Sequence, residues 1–454
     1  MSEQTKRNKP HQGPNARGLL SRRGFLLGAA ATAAVAATVG SQTRPAKASI
    51  KTKAEILIVG SGLGGIAMAN RLSRLLDGAR ITILDKKEEH NYQPGYTLVA
   101  TGIWPDHKIR NRNADYLPSG IRWVKDNAAE FDPESNTVVT AGGENLRYDF
   151  LIVAVGTHQD WALIEGFDTQ AIGQNGLTSV YPSADAAVAT WSAMDAFRKT
   201  GGNAVLTLPA TPLKCAGAPL KVTFMLRDRL AQAGTLKNSS VQFYSALPSA
   251  VFGVKRVNDD IVTRWQNLGI GIDYGHNLSG VDIAGRKARF RLADGTERMV
   301  DYDFLHVAPP MRAPDAVRNS ALAVSEGPMA AGGWLAVNKD TLQHLRYPNV
   351  FGIGDINGTA RGKTAATVKK AAPLVAQHVV DVIEGRPPSQ VFDGYTSCPL
   401  IVREGAAMLI EFDYAGNFVP SLPMIDPMQA GFFPWLMKVQ LLKPAYVAVM
   451  KGRV

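Results

Sequence analysis

Ala54-Glu55-Ile56-Leu57-Ile58-Val59 passes without a break into Gly60-Ser61-Gly62-Leu63-Gly64-Gly65. An apolar run of this kind, with no polar alternation, is a strand buried on both faces, as in a parallel sheet. A helical stretch from Ile66 to Leu76 follows, then a second strand, Arg80-Ile81-Thr82-Ile83-Leu84, ending at Asp85. Strand, glycines, helix, strand and terminal acid arrive in the order a dinucleotide-binding unit requires. Gly60 permits the tight turn, Gly62 lets the backbone approach a pyrophosphate, and Gly65 lets the helix lie on the sheet. The helix amino end offers unpaired N–H groups and partial positive charge to the phosphates. Asp85, twenty-five residues after Gly60, is positioned to accept hydrogen bonds from the adenosine ribose.

Two further segments choose between FAD and NAD. Tyr148-Asp149-Phe150-Leu151-Ile152-Val153-Ala154-Val155 is a buried strand closing on Gly156-Thr157, and Tyr347 to Ile353 is another, closing on Gly354-Asp355. Both resemble two-domain flavoprotein reductases, and the resemblance implies that Asp355 binds the ribityl chain of FAD. Lys363-Thr364-Ala365 opens a helix to about Ile383. Its positive end would face the flavin and stabilise negative charge there. The expected fold is α/β, with two Rossmann-like dinucleotide-binding domains arranged as in glutathione reductase and a C-terminal membrane-facing segment. Residues 49–160 and 305–395 make the split FAD-binding domain, 161–304 the inserted second domain, and 396–454 the membrane-association segment.

The inserted domain lacks the fingerprint an NADH site needs. Its first strand, Gly202 to Leu208, is followed by Pro209-Ala210-Thr211-Pro212-Leu213-Lys214-Cys215-Ala216-Gly217-Ala218-Pro219, with a cysteine where a nicotinamide cofactor would be cradled. NADH is therefore not the expected donor.

The 454 residues carry a formal charge of +11, which suggests nucleic acid. Eight Lys/Arg and one Glu lie in residues 1–48, so +7 of the +11 is there and about +4 remains for 49–454. That remainder excludes a nucleic-acid binder and fits an anionic membrane surface or a small anion. Ser21-Arg22-Arg23-Gly24-Phe25-Leu26-Leu27 opens an Ala-rich apolar run to Val39, and Ala46-Lys47-Ala48 offers a cleavage site. This pattern reads as a twin-arginine signal peptide over 1–48, rather than an anchor, because the run is short for a bilayer. The mature protein is then expected on the periplasmic side, peripheral on the cytoplasmic membrane. Its only two cysteines, Cys215 and Cys398, stand 183 positions apart. In an oxidising compartment they form either a structural staple or a redox pair, and their number alone does not decide.

Taken together, Thr211–Pro219 (TPLKCAGAP), Ala246–Lys255 (ALPSAVFGVK), Leu305–Met311 (LHVAPPM), Thr341–Asp355 (TLQHLRYPNVFGIGD), Asp393–Leu400 (DGYTSCPL) and Leu436–Leu441 (LMKVQL) resemble the sulfide:quinone oxidoreductases, especially the subgroup containing the mitochondrial enzymes. The resemblance implies a Cys215–Cys398 disulfide, or a sulfur-bridged form, beside non-covalent FAD. Hydrosulfide would leave a persulfide on Cys215 and release Cys398 as the thiolate facing the flavin. The sulfur would pass to a small acceptor and the electrons to quinone. Thiolates are the reactive species in such exchange, and Lys214 is expected to help hold one. Glu165 falls where relatives place an active-site carboxylate, so it is the candidate acid–base, and His158, closer to the Gly156-Thr157 turn, is an alternative. Lys438 matches a lysine near the quinone. Met408 to Val454, with Phe432-Phe433-Pro434-Trp435 and interleaved lysines, reads as a basic amphipathic helix for monotopic insertion. No His/Cys/Asp spacing suggests a metal, and a homo-oligomer remains open. Arg403-Glu404-Gly405-Ala406, after Cys398, departs from the family pattern. The rivals are the flavoprotein subunit of a flavocytochrome c sulfide dehydrogenase, which needs a third cysteine for covalent FAD, and an NADH:quinone oxidoreductase.

Overall fold

Ile56, Leu57, Ile58 and Val59 are all buried, and the strand they form, β1 (Glu55–Val59), sits at the centre of a parallel sheet. It leads into α1 (Leu63–Leu75), which begins three residues before the sequence pattern suggested. Then come β2 (Arg80–Leu84), β3 (Arg122–Val124) and β4 (Phe150–Val153). Ile58 is in register with Ile83 on one side and Ile152 on the other, so both edges of the strand are paired. The structure, a computed structural model, describes residues 49–454, which form one compact unit. The expected signal peptide, 1–48, lies outside the described residues.

The next stretch builds a second parallel sheet from β5 (Leu177–Thr178), β6 (Gly202–Leu208), β7 (Ser239–Ser245), β8 (Gly271–Tyr274) and β9 (Phe304–His306), in the order β5-β9-β6-β7-β8. Three helices connect it: α2 (Ala184–Thr200), α3 (Gly217–Ala233) and α4 (Lys255–Leu268). The chain then returns to the first sheet as β10 (Val350–Gly352), completing the order β10-β4-β1-β2-β3. Each parallel sheet is accompanied by a three-stranded antiparallel meander, over 128–147 and 276–301. The expected pair of Rossmann-like sheets is present.

After β10, α5 (Ala365–Ile383) starts at a Thr364 cap whose hydroxyl accepts the Thr367 N–H at 3.3 Å. A hairpin follows, β11 (Thr396–Arg403) and β12 (Ala406–Phe412), turning through Glu404 and Gly405. The Arg403–Ala406 segment that fits no family pattern is this turn. Gly405 takes the left-handed conformation (φ +77°), and Glu404 pairs with Arg229 of α3. The hairpin carrying Cys398 is thereby pinned to the helix following Cys215.

The C-terminal segment differs from expectation. Instead of one amphipathic helix there are α6 (Phe432–Leu436), a π-helical turn (Met437–Leu441) and α7 (Leu442–Met450). Trp435 and Lys438 point inward and are buried, while Phe432 and Phe433 are exposed. The extra residue in the π turn re-aims the helix, which lets Lys438 reach inside. Among the described residues no helix is long and apolar enough to cross a membrane.

The glycines of the first loop divide by function. Gly60 has φ +108°, and a Cβ there would strike the Ala154 carbonyl; one on Gly65 would strike the Gly60 carbonyl. A Cβ on Gly62 would meet nothing within 4 Å, because Gly62 faces open space. Gly65→Ala is therefore expected to destabilise the cofactor-free protein by about 2 kcal/mol through backbone overpacking. Gly62→Ala is expected to leave that stability unchanged and to weaken FAD retention. Denaturant unfolding of the two stripped variants checks this.

Candidate active site

The cradle begins where α1 meets the sheet. No side chain caps the amino end of α1 and no acidic residue occupies its first turn, so its N–H groups face outward beside Gly62. Asp85 lies against this loop. One carboxylate oxygen accepts from the Ser61 N–H (2.7 Å) and Ser61 O–H (2.9 Å), and the other from the Lys87 N–H (2.9 Å). A carboxylate has about four acceptor positions, so it retains capacity for ribose hydroxyls. Across the sheet, Gly156 and Gly354 both have positive φ, and a Cβ on Gly156 would meet nothing within 4 Å. Asp355 follows Gly354 in a setting that pushes its carboxyl up through burial, against the pull of Lys214 and Lys363. An open glycine cradle, an uncapped helix end and two acids at strand ends fit a dinucleotide flavin.

Lys363 is placed differently from the sequence reading. Its ammonium donates to the carbonyls of Asp355 (2.7 Å) and Asn357 (2.9 Å) and lies 3.4 Å from the Trp334 ring centroid. Burial lowers it to about 7. It shapes the Gly-Asp turn from beneath, and Thr364 caps α5 beside it.

The sulfur site lies where α3 begins. The loop after β6 is tied to the Gly156-Thr157 side through Met311, whose N–H donates to Thr211 Oγ1 (2.9 Å) and whose sulfur accepts the Lys214 N–H (3.4 Å). The loop ends at Cys215 with φ +81°, a left-handed conformation that non-glycine residues adopt at a cost and that recurs at active sites. Cys398 arrives from β11, opposite Ile410, and is buried. A Cβ on Gly217, the first residue of α3, would overlap Cys398 Sγ. Only glycine lets that sulfur sit at the helix amino end, where the dipole favours a thiolate. Cys215 is half-buried and Cys398 buried, both as free cysteines.

Two ammonium groups face these sulfurs. Lys221, one turn into α3, is buried with its Nζ 3.6 Å from a Cβ built on Gly217. Burial opposes its charge, but the two cysteines outweigh burial and raise it. Burial likewise pushes the Cys398 thiol up, and the largest pull the other way is Lys221. Lys438, from the π turn, donates to the Pro94 carbonyl at 2.7 Å. Burial and Lys221 lower it to about 7, while both cysteines oppose that shift. Among the described residues no carboxylate pairs with either lysine. Tyr181 is also buried, its hydroxyl has no hydrogen-bond partner among the described residues, and it feels both sulfurs electrostatically.

Several sequence candidates fall elsewhere. Lys214, expected beside the thiolate, has Asp355 as its foremost charge partner and Cys215 as its least. Glu165, the candidate acid–base group, is 78% exposed and paired with Arg289 of the 276–301 meander. It lines a surface groove with Thr211 and Arg291, so the structure does not bring it to the sulfurs. His158 is exposed and 4.0 Å from Asp160. Lys221 and Tyr181 were missed; the one available signal was the i, i+4 spacing of Gly217 and Lys221 on one helix face.

Two parallel sheets, a glycine cradle and a cysteine at the second sheet's crossover define a flavin-dependent oxidoreductase of the two-domain reductase class. The pyridine nucleotide-disulphide oxidoreductase family matches residues 54–195. The chain is 34% identical to the mouse mitochondrial sulfide:quinone oxidoreductase over 88% of its length and 87% of the relative's. It is also 34% identical to the Dictyostelium discoideum mitochondrial protein of that name, over 92% and 90%. The solved sulfide:quinone oxidoreductase of Aquifex aeolicus superimposes with a TM-score of 0.71 at 21% identity, covering 88% of this chain and 92% of that one. The chain belongs to the sulfide:quinone oxidoreductase family.

Lys221→Met is expected to remove the main pull favouring the Cys398 thiolate. The pH at half-maximal iodoacetamide alkylation of Cys398 in reduced protein should then rise by about one unit, a tenfold slower reaction at fixed pH below it. Peptide mass spectrometry over a pH series measures this.

Proposed function

We propose that this protein oxidises sulfide at Cys215 and Cys398, passes the electron pair to non-covalent FAD and then to membrane quinone, and hands the sulfur to a small nucleophilic acceptor. One observation carries the reading: two cysteines far apart in sequence come together at the amino end of α3, beside two buried ammonium groups with which, among the described residues, no carboxylate pairs.

The catalytic form would contain a Cys215–Cys398 disulfide. Hydrosulfide attacks Cys215 Sγ, an S–S bond forms there, and the Cys215–Cys398 bond breaks. Cys215 becomes a persulfide and Cys398 leaves as a thiolate carrying the bond's electron pair. Lys221 and the α3 dipole stabilise that thiolate, which burial alone would keep protonated. The unpaired Tyr181 hydroxyl is available to donate to the sulfur atom that accumulates charge. An acceptor thiolate or sulfite then removes the outer sulfur, leaving Cys215 as a thiolate that re-forms the disulfide as two electrons depart. FAD, when bound, supplies the two-electron acceptor and relays the pair to quinone. Asp85, the α1 amino end and Asp355 would hold it, and Asp355 also aligns Lys214 next to Cys215.

Lys438, at about 7, exchanges a proton readily near neutrality. It sits in the π turn that follows exposed Phe432 and Phe433, where a quinone would arrive from a membrane surface. Arg22-Arg23 and the apolar run after them support export by the twin-arginine route to the periplasmic side. The mouse and Dictyostelium relatives are named as mitochondrial, so this location rests on the present sequence alone.

The rivals are less well supported. The loop after β6 holds Pro209–Ala216 where a second glycine fingerprint would cradle NADH, and no third cysteine exists for a covalent flavin. Anaerobic stopped-flow spectroscopy separates the half-reactions. Cys398→Ser is expected to lose reduction of the flavin by sulfide at least a thousandfold, while dithionite-reduced enzyme still reoxidises with quinone. Lys438→Ala is expected to slow mainly that reoxidation, by about a hundredfold, the low end of the loss typical of removing one proton-transfer group. Equal rates of reduction in wild type and Cys398→Ser would remove the proposed mechanism.

A further inference from the structure

Behind the FAD cradle runs a chain of buried polar groups whose hydrogen-bond directions are fixed. Asn113 Nδ2 donates to Ser61 Oγ (2.6 Å) and to the Lys87 carbonyl (2.7 Å), so its Oδ1 is the atom facing His90 Nδ1 at 2.9 Å. An amide oxygen only accepts, so His90 carries its proton on Nδ1. Burial lowers the His90 pKa, which keeps the ring neutral. Its Nε2 is therefore an acceptor, and the group opposite at 2.8 Å is the Tyr446 hydroxyl. The sequence of donors is thus Tyr446 to His90, His90 to Asn113, Asn113 to Ser61, and Ser61 to Asp85 (2.9 Å). Every link points toward the carboxylate assigned to the ribose.

Tyr446 belongs to α7, from the far end of the chain. Its ring also packs edge-on against Tyr92, with centroids 4.9 Å apart. Where α7 ends, Arg74 of α1 donates to the carbonyls of Lys451 and Gly452 at 2.8 Å each, and Arg71 donates to that of Val454. α1 is the helix whose amino end faces the dinucleotide pyrophosphate. The C-terminal helix is therefore fastened to the FAD cradle at two places, the side of the glycine loop and the far end of α1.

We propose that α7 is a latch on the FAD site, with Tyr446 a positioning residue that orients Ser61 and Asp85 through His90 and Asn113. Seating of the C-terminal helix and occupancy of the cradle then favour one another, and linkage makes the effect reciprocal. This rests on the reading that FAD occupies the cradle. Tyr446→Phe is the suitable variant because it keeps the ring contacts with Tyr92 and His90 and deletes only the first donor.

The experiment uses the full-length protein. FAD is removed and rebound while flavin fluorescence is followed, and amide hydrogen exchange of 442–450 is measured with and without FAD. Wild type is expected to bind FAD and to protect α7 on binding. Tyr446→Phe is expected to bind FAD about five- to tenfold more weakly, the worth of one buried hydrogen bond whose partner is left unpaired. Its α7 should also lose most of the FAD-dependent protection. FAD affinity within twofold of wild type, with α7 protection unchanged by FAD in both proteins, would overturn the latch. Failure of wild type itself to bind FAD would instead overturn the cradle assignment, and Arg74→Ala tests the second fastening in the same assay.

Discussion

Sulfur anions buried in protein need a counter-charge, and this fold supplies it with two ammonium groups that, among the described residues, no carboxylate neutralises. A buried unpaired ammonium is costly. Lys221 and Lys438 persist because α3, the π turn and the Cys398 hairpin converge on one small volume. Gly217 removes the side chain that would separate Cys398 from the helix end, and the Glu404–Arg229 pair holds the hairpin against α3. Removing the charge would leave the pocket a place where a thiol stays a thiol.

The same helix-end physics is used twice. At α1 an uncapped amino end behind a glycine loop awaits a pyrophosphate. At α3, which holds the equivalent place after the first long strand of the second sheet, the glycine loop is replaced by Pro209–Cys215 and the helix end meets a sulfur. The second parallel sheet keeps the Rossmann-like arrangement while its crossover carries Cys215 where a glycine fingerprint would otherwise stand. A positive helix end stabilises phosphate and thiolate alike.

Much of this was legible in the linear sequence because it depends on local patterns. β1, the glycine loop and Asp85 lie within one short segment, and β6 running into the cysteine loop is equally local. What escaped depends on contacts between distant segments. Lys221 looks like any helical lysine until β11 brings Cys398 to it. His90 becomes part of the cradle only through Asn113 on one side and Tyr446 on the other. At the C terminus the aromatic and basic residues did not reveal the π turn, which carries Lys438 inward while Phe432 and Phe433 stay exposed. Glu165 misled for a related reason: its place in sequence near Gly156 did not survive as a place near the sulfurs.

The central claim is that Cys215 and Cys398 act as one redox unit. Cysteine mapping of the air-oxidised, denatured protein by alkylation and peptide mass spectrometry tests it most directly. The account predicts that neither cysteine alkylates before reduction and that one linked peptide joins Cys215 to Cys398, directly or through added sulfur. Full alkylation of both cysteines without reductant, in protein whose flavin sulfide still reduces, would contradict it.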